Sequence, residues 1–223
     1  MVYNSLTDTP HNLKEGLDWL MALKGVDATN NLKAVGEAIY NLLQSRAVDT
    51  TAFEAVKEGE IEDQKSVQNM RGTFIGNKNA GSSGLATSKR LTAGAIAERL
   101  GKLVDGCEQF LDSTTAHERY VSAYSSEATW ESSCAQDPEA CAATLLGIAP
   151  MLYTGLQGLR WVSQCASYGG SNSQAAMRMP GMLEALGYNK EEGRSYLTGS
   201  YVAWSLRGVD RDTLSILYDL AGF

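Results

Sequence analysis

Apolar residues recur every three or four positions along most of this chain, the spacing that builds one face of a helix. Leu13, Leu17, Leu20 and Leu23 form one such stripe, with Asn12 placed to cap it and Gly25 to stop it. Leu32, Val35, Ile39, Leu42 and Leu43 form a second stripe. Ile96, Leu100, Leu103, Val104, Cys107 and Phe110 form a third. Asp137-Pro138-Glu139 reads as an N-cap, a first-turn proline and an acidic first turn. It opens a long apolar run from Leu145 to Leu159, and Pro150 within that run predicts a kink or break near Ile148 or Ala149. Met179-Pro180 predicts the start of a further helix, stopped at Gly187, and a last helix is expected from Asp210. Two-residue alternation is scarce, so strands are not expected. The pattern predicts an all-α fold, an irregular bundle of about eight helices.

Two stretches fall outside the periodicity. Residues 72–90 are rich in glycine, serine, asparagine and threonine, with few apolar anchors. Such a segment buries too little surface to offset its ordering entropy, so a long mobile loop is expected there. Residues 1–11 are expected to form a flexible arm. The remaining parts, 12–71 and 91–223, are then an N-terminal and a C-terminal helical part of one domain.

Composition narrows the functional classes. The 223 residues carry 19 basic and 26 acidic side chains, a formal charge of -7, which argues against a nucleic-acid partner. Only His11 and His117 are present, so the usual zinc-enzyme constellations are missing. Mean hydropathy is -0.22, and no stretch of apolar residues reads as a membrane span. Gly76 to Ser83, GNKNAGSS, has the outline of a phosphate loop, but Ser82 stands where the lysine is required. His117 beside Glu118 lacks a nucleophile elbow. Glu191-Glu192 and Glu60/Glu62/Asp63 read as solvated carboxylates. No N-glycan acceptor sequon occurs. The chain is therefore expected not to be an enzyme and to need no cofactor or metal.

Cys107, Cys134, Cys141 and Cys165 allow three disulfide pairings, or four free thiols in a reducing compartment. Cys134 and Cys141 flank the turn at Pro138, which favours their pairing. Cys107 with Cys165 would then staple two helices.

Two groups of residues are candidates for binding. Lys65, Arg71, Lys78, Lys89 and Arg90 are the only charges between Gln64 and Ala97, a basic stretch on an otherwise acidic chain. Such a stretch suits an anionic surface, such as a sialylated glycan or lipid headgroup. Trp161, Tyr168, Tyr201 and Trp204, accompanied by Tyr196 and by Arg160, Arg194 and Arg207, supply the residue types enriched at binding hot spots.

Several long phrases carry a resemblance. They are LTDTPHNLKEGLDWLMALKG, VDGCEQFLD at 104–112, YSSEATWESSCAQDPEACA at 124–142, GIAPMLYTGLQGLR at 147–160 and GVDRDTLSILYDLAGF at the end. Together they resemble the secreted antigen and merozoite surface antigen family of Babesia parasites. The match covers both ends and most of 100–160, and is weakest over 46–90. The resemblance implies a signal peptide and a C-terminal tail exchanged for a GPI anchor, neither contained in this sequence. It implies a protein on the outer face of the parasite membrane, also shed, that attaches to the host erythrocyte and meets host antibodies. The oxidising compartment implied favours disulfides. The expected function is an adhesin for a glycoprotein, glycan or lipid of the red cell. The alternative is a shed immunodominant decoy without a specific receptor.

Overall fold

A computed structural model of the chain describes residues 2–57, 92–116, 118–169, 173–188 and 197–222, with the backbone alone for 46–57. Among them are eight α-helices: α1 (Leu13–Lys24), α2 (Ala28–Lys57), α3 (Ala93–Thr114), α4 (Trp130–Ser133), α5 (Pro138–Gly169), α6 (Gln174–Ala185), α7 (Gly199–Ser205) and α8 (Arg211–Leu220). A 3-10 turn, Leu206–Gly208, joins α7 to α8. The fold is all-α, as the periodicity predicts. The basic Gly/Ser-rich stretch 72–90 lies outside the described residues.

The helices start and stop where their capping chemistry dictates. Asn12 accepts the Glu15 amide at 3.0 Å, and Asp210 accepts the Thr213 amide at 2.8 Å. Gly25 ends α1 with φ at 52°, a backbone region that favours glycine. The long helix α5 is the axis of the bundle and packs against α1, α2, α6, α7 and α8. Its Leu145, Ile148, Leu152, Leu156 and Leu159 are buried in one continuous stripe. It is long and apolar enough to cross a membrane, but that stripe is covered here by the other helices. Along its other sides, α3 rests on α2 and on the 3-10 turn. A Cβ on Gly106 would lie 2.5 Å from the Gly208 carbonyl oxygen, so that crossing requires glycine.

Four expectations need correction. Helix α5 runs through Pro150 without a break. Loss of one backbone hydrogen bond is outweighed there by burial on both sides of the proline, at Ile148 and Leu152. Helix α6 begins a turn and a half before Pro180, because Ser173 caps it by accepting the Ala176 amide at 3.1 Å. Residues 2–11 do not form a loose arm. Leu6 is fully buried, Tyr3 and Pro10 are buried, and Tyr3 pairs with Tyr124 in an isolated parallel bridge. Finally, Cys134–Cys141 is a disulfide with Cα atoms 5.8 Å apart, whereas Cys107 and Cys165 are free. Their helices pack mainly on other elements, α3 on α2 and the 3-10 turn, and α5 on α6, α2 and α7. Burial of Cys107 pushes its thiol up to about 12, so it is an inert core side chain.

Candidate functional site: a cationic-aromatic groove

The register of α5 separates two kinds of residue. Leu152, Leu156, Leu159, Ser163 and Ala166 turn inward. Tyr153, Gln157, Arg160, Trp161 and Gln164 lie along the flank that faces α8. On α8, Leu214, Ile216, Leu217 and Leu220 are buried, while Arg211, Asp212, Ser215 and Tyr218 border the same space. The result is a groove of about 610 Å³ between the C-terminal half of α5 and the start of α8, a size usual for small-ligand sites.

Several contacts hold the walls. Tyr153 and Tyr218 meet edge to face with centroids 5.5 Å apart. Arg99 on α3 donates to Asp219 and to Ser215, each at 3.0 Å, and ties α8 down from behind. The Asp210 carboxyl, capping α8, is held below the usual carboxylate range by the Thr213 amide, with Arg160 adding to the effect. Arg160 and Arg211 themselves make no side-chain hydrogen bond or close ion pair among the described residues. Trp161 is 68% exposed. The groove thus presents two guanidinium groups, one carboxylate (Asp212), two exposed aromatic edges and two amides.

The binding residues expected from sequence are distributed unevenly. Lys65, Arg71, Lys78, Lys89 and Arg90 lie outside the described residues, as do Tyr196, Arg194, His117, Glu191-Glu192 and Gly76–Ser83. Trp161 borders the groove. Tyr168, two turns further along α5, is 92% exposed. Tyr201 is half-buried, and its hydroxyl donates to the Ser113 carbonyl at 2.8 Å, so it helps to seat α7 on α3. Trp204 is half-exposed, 5.8 Å from the Tyr201 ring, with the Arg207 guanidinium 4.5 Å above it. Trp161 is the only one of these four that borders the groove. Sequence reasoning missed Arg211, Tyr153 and Tyr218. Only the pairing of α5 with α8 brings Arg211 to Arg160, and no local spacing signals it.

A different polar cluster, built on Lys14 and Asp18 of α1, fixes the chain there. Asp18 accepts the Tyr120 hydroxyl at 2.5 Å and the Ala123 amide at 2.8 Å. Lys14 lies 3.5 Å from the same carboxylate, donates to the Val121 carbonyl at 2.7 Å and stands over the Tyr120 ring. Burial raises the Asp18 carboxyl above its ordinary value, against the hydrogen bonds from Tyr120 and Ala123. Among the described residues there is no group of three or more histidine, cysteine or acidic side chains arranged to hold a metal.

Comparison with family models, curated proteins and solved structures finds no match to this chain.

Proposed function

We propose that this chain is the extracellular binding domain of a parasite surface adhesin that attaches to the host erythrocyte. The native protein would be held by a lipid anchor and also shed. The reading rests on the resemblance of its long phrases to the Babesia surface antigens. The Cys134–Cys141 disulfide agrees with an oxidising compartment. The observation that carries it is the outward aromatic face of α5. Trp161 and Tyr168 are spaced by seven residues, share one side of the helix and are 68% and 92% exposed. Exposed large aromatics of this kind mark surfaces that bind. The chain is acidic overall, so attraction to a negatively charged cell is short-range, and affinity comes from local contacts multiplied by many anchored copies.

The test is binding of the purified chain to intact red cells. Saturable binding that falls about tenfold in the Trp161→Ala/Tyr168→Ala variant supports the reading. A folded chain that shows no saturable binding overturns it and leaves the immune decoy.

A further inference from the structure

We infer that the α5–α8 groove is a subsite for an acidic sugar, a pyranose that bears one carboxylate. This inference deepens the adhesin reading and rests on it for the source of the ligand, though not for the chemistry. Arg160 and Arg211 reach the groove from different helices, and neither side chain makes a hydrogen bond or close ion pair among the described residues, Arg160 acting on the Asp210 carboxyl only through its charge. Guanidinium groups recognise carboxylates with directed, paired hydrogen bonds. With Asp212 the lining holds two positive charges and one negative, on a chain of net charge -7. Trp161 and Tyr218, 68% and 42% exposed, offer flat apolar surfaces against which the C–H face of a sugar ring stacks. Gln157 and Gln164 supply amide donors and acceptors for ring hydroxyls.

The remaining carboxylate decides between anions. Asp212 lies in the same wall as Arg211. It repels a compact dianion such as phosphate, but it accepts hydrogen bonds from sugar hydroxyls. A ligand with one negative charge and several hydroxyls satisfies both signs of the groove. A neutral sugar leaves the two arginines unused. A hydrocarbon chain leaves every polar group in the wall unsatisfied.

Two kinds of glycan carry such a sugar: one ending in sialic acid, and one built with uronic acid. Three probes separate them, namely 3′-sialyllactose, an unsulfated chondroitin disaccharide and lactose, titrated into the full chain by calorimetry. The indole ¹⁵N resonance of Trp161 provides the site readout. The expected result is millimolar binding of an acidic probe, at least about tenfold tighter than lactose, with the Trp161 resonance shifting along the titration. Preference for sialyllactose assigns the sialylated source, and preference for the disaccharide assigns the uronic source. Arg160→Gln/Arg211→Gln should lose the acidic preference about tenfold while its melting temperature stays within a degree or two. Trp161→Ala should weaken both acidic and neutral probes. Equal binding of lactose, no binding of any probe at about 20 mM, or a titration that leaves Trp161 unmoved overturns the inference. Red-cell binding is scored separately. If it survives in an arginine variant that has kept its acidic-glycan binding, the subsite proposal fails while adhesion stands. If soluble glycan binds but cells do not, adhesion fails while the subsite stands.

Discussion

The two polar regions of this molecule use similar residues to opposite ends. Near the N-terminus, Lys14, Asp18, Trp19, Tyr120 and Tyr124 aim their polar atoms at the chain itself. The Trp19 indole donates to the Leu6 carbonyl at 2.7 Å, and the Tyr124 hydroxyl donates to the Asp8 carbonyl at 2.6 Å. In the α5–α8 groove, the side chains of Arg160, Trp161 and Arg211 make no hydrogen bond among the described residues. Residue type therefore does not separate structural from recognition chemistry. What separates them is whether the polar atoms are already satisfied within the fold.

That contrast predicts where substitutions will hurt. The largest effect is expected from Asp18→Ala, which removes the acceptor of the Tyr120 hydroxyl and the Ala123 amide and the buried carboxylate beside Lys14. Loss of about 3 kcal/mol is expected in urea unfolding. A loss below about 1 kcal/mol would mean that the cluster does not clamp α1 to residues 120–123. Next comes the disulfide at the same end. Cys134→Ser/Cys141→Ser reopens a link of sequence separation 7, and chain-entropy arguments give a loss of about 2.5 kcal/mol. The corresponding Cys165→Ser should cost less than about 0.5 kcal/mol, since that thiol is free and only half-buried.

The sequence foretold the parts of this arrangement that depend on neighbours in the chain. The stripes of α1 and α3, the cap at Asn12, the start of the last helix near Asp210 and the Cys134–Cys141 link all arise from residues within a few turns of one another. The N-terminal segment was misread because Tyr3 and Leu6 are isolated apolar residues with no period. Their partners, Ala123 to Ser125 and Ser133, are more than a hundred positions away. The proline at 150 was misread for the opposite reason. Local propensity breaks a helix there, and a buried stripe on both sides overrides it. The groove was half-visible: Trp161 and Arg160 stood out as types, but Arg211, Tyr153 and Tyr218 join them only through helix packing.

A smaller, pH-dependent effect tests the clamp without removing it. Folding raises the Asp18 carboxyl above its ordinary value of 3.8, so the native state holds a proton that the unfolded chain releases. The associated stability is fully present below the ordinary value and is lost as pH rises through the raised one. The difference in stability between the native chain and Asp18→Asn should therefore shift toward the native chain as pH falls through that window. A difference independent of pH would show that Asp18 titrates normally in the fold.

The smallest stability change is expected at the groove, and its smallness is the point. Trp161 is 68% exposed, and no hydrogen bond holds its indole among the described residues. Trp161→Ala should change unfolding free energy by less than about 0.5 kcal/mol, whereas Trp19→Phe, which loses one buried hydrogen bond, should cost about 1 kcal/mol or more. The order reverses for binding. Trp161→Ala removes an anchor for ligand, and Trp19→Phe leaves the groove untouched. Two tryptophans with opposite rankings in stability and binding would separate the clamp from the recognition surface. If Trp161→Ala instead destabilises the fold as much as Trp19→Phe, the groove is part of the packing and the contrast between the two regions collapses.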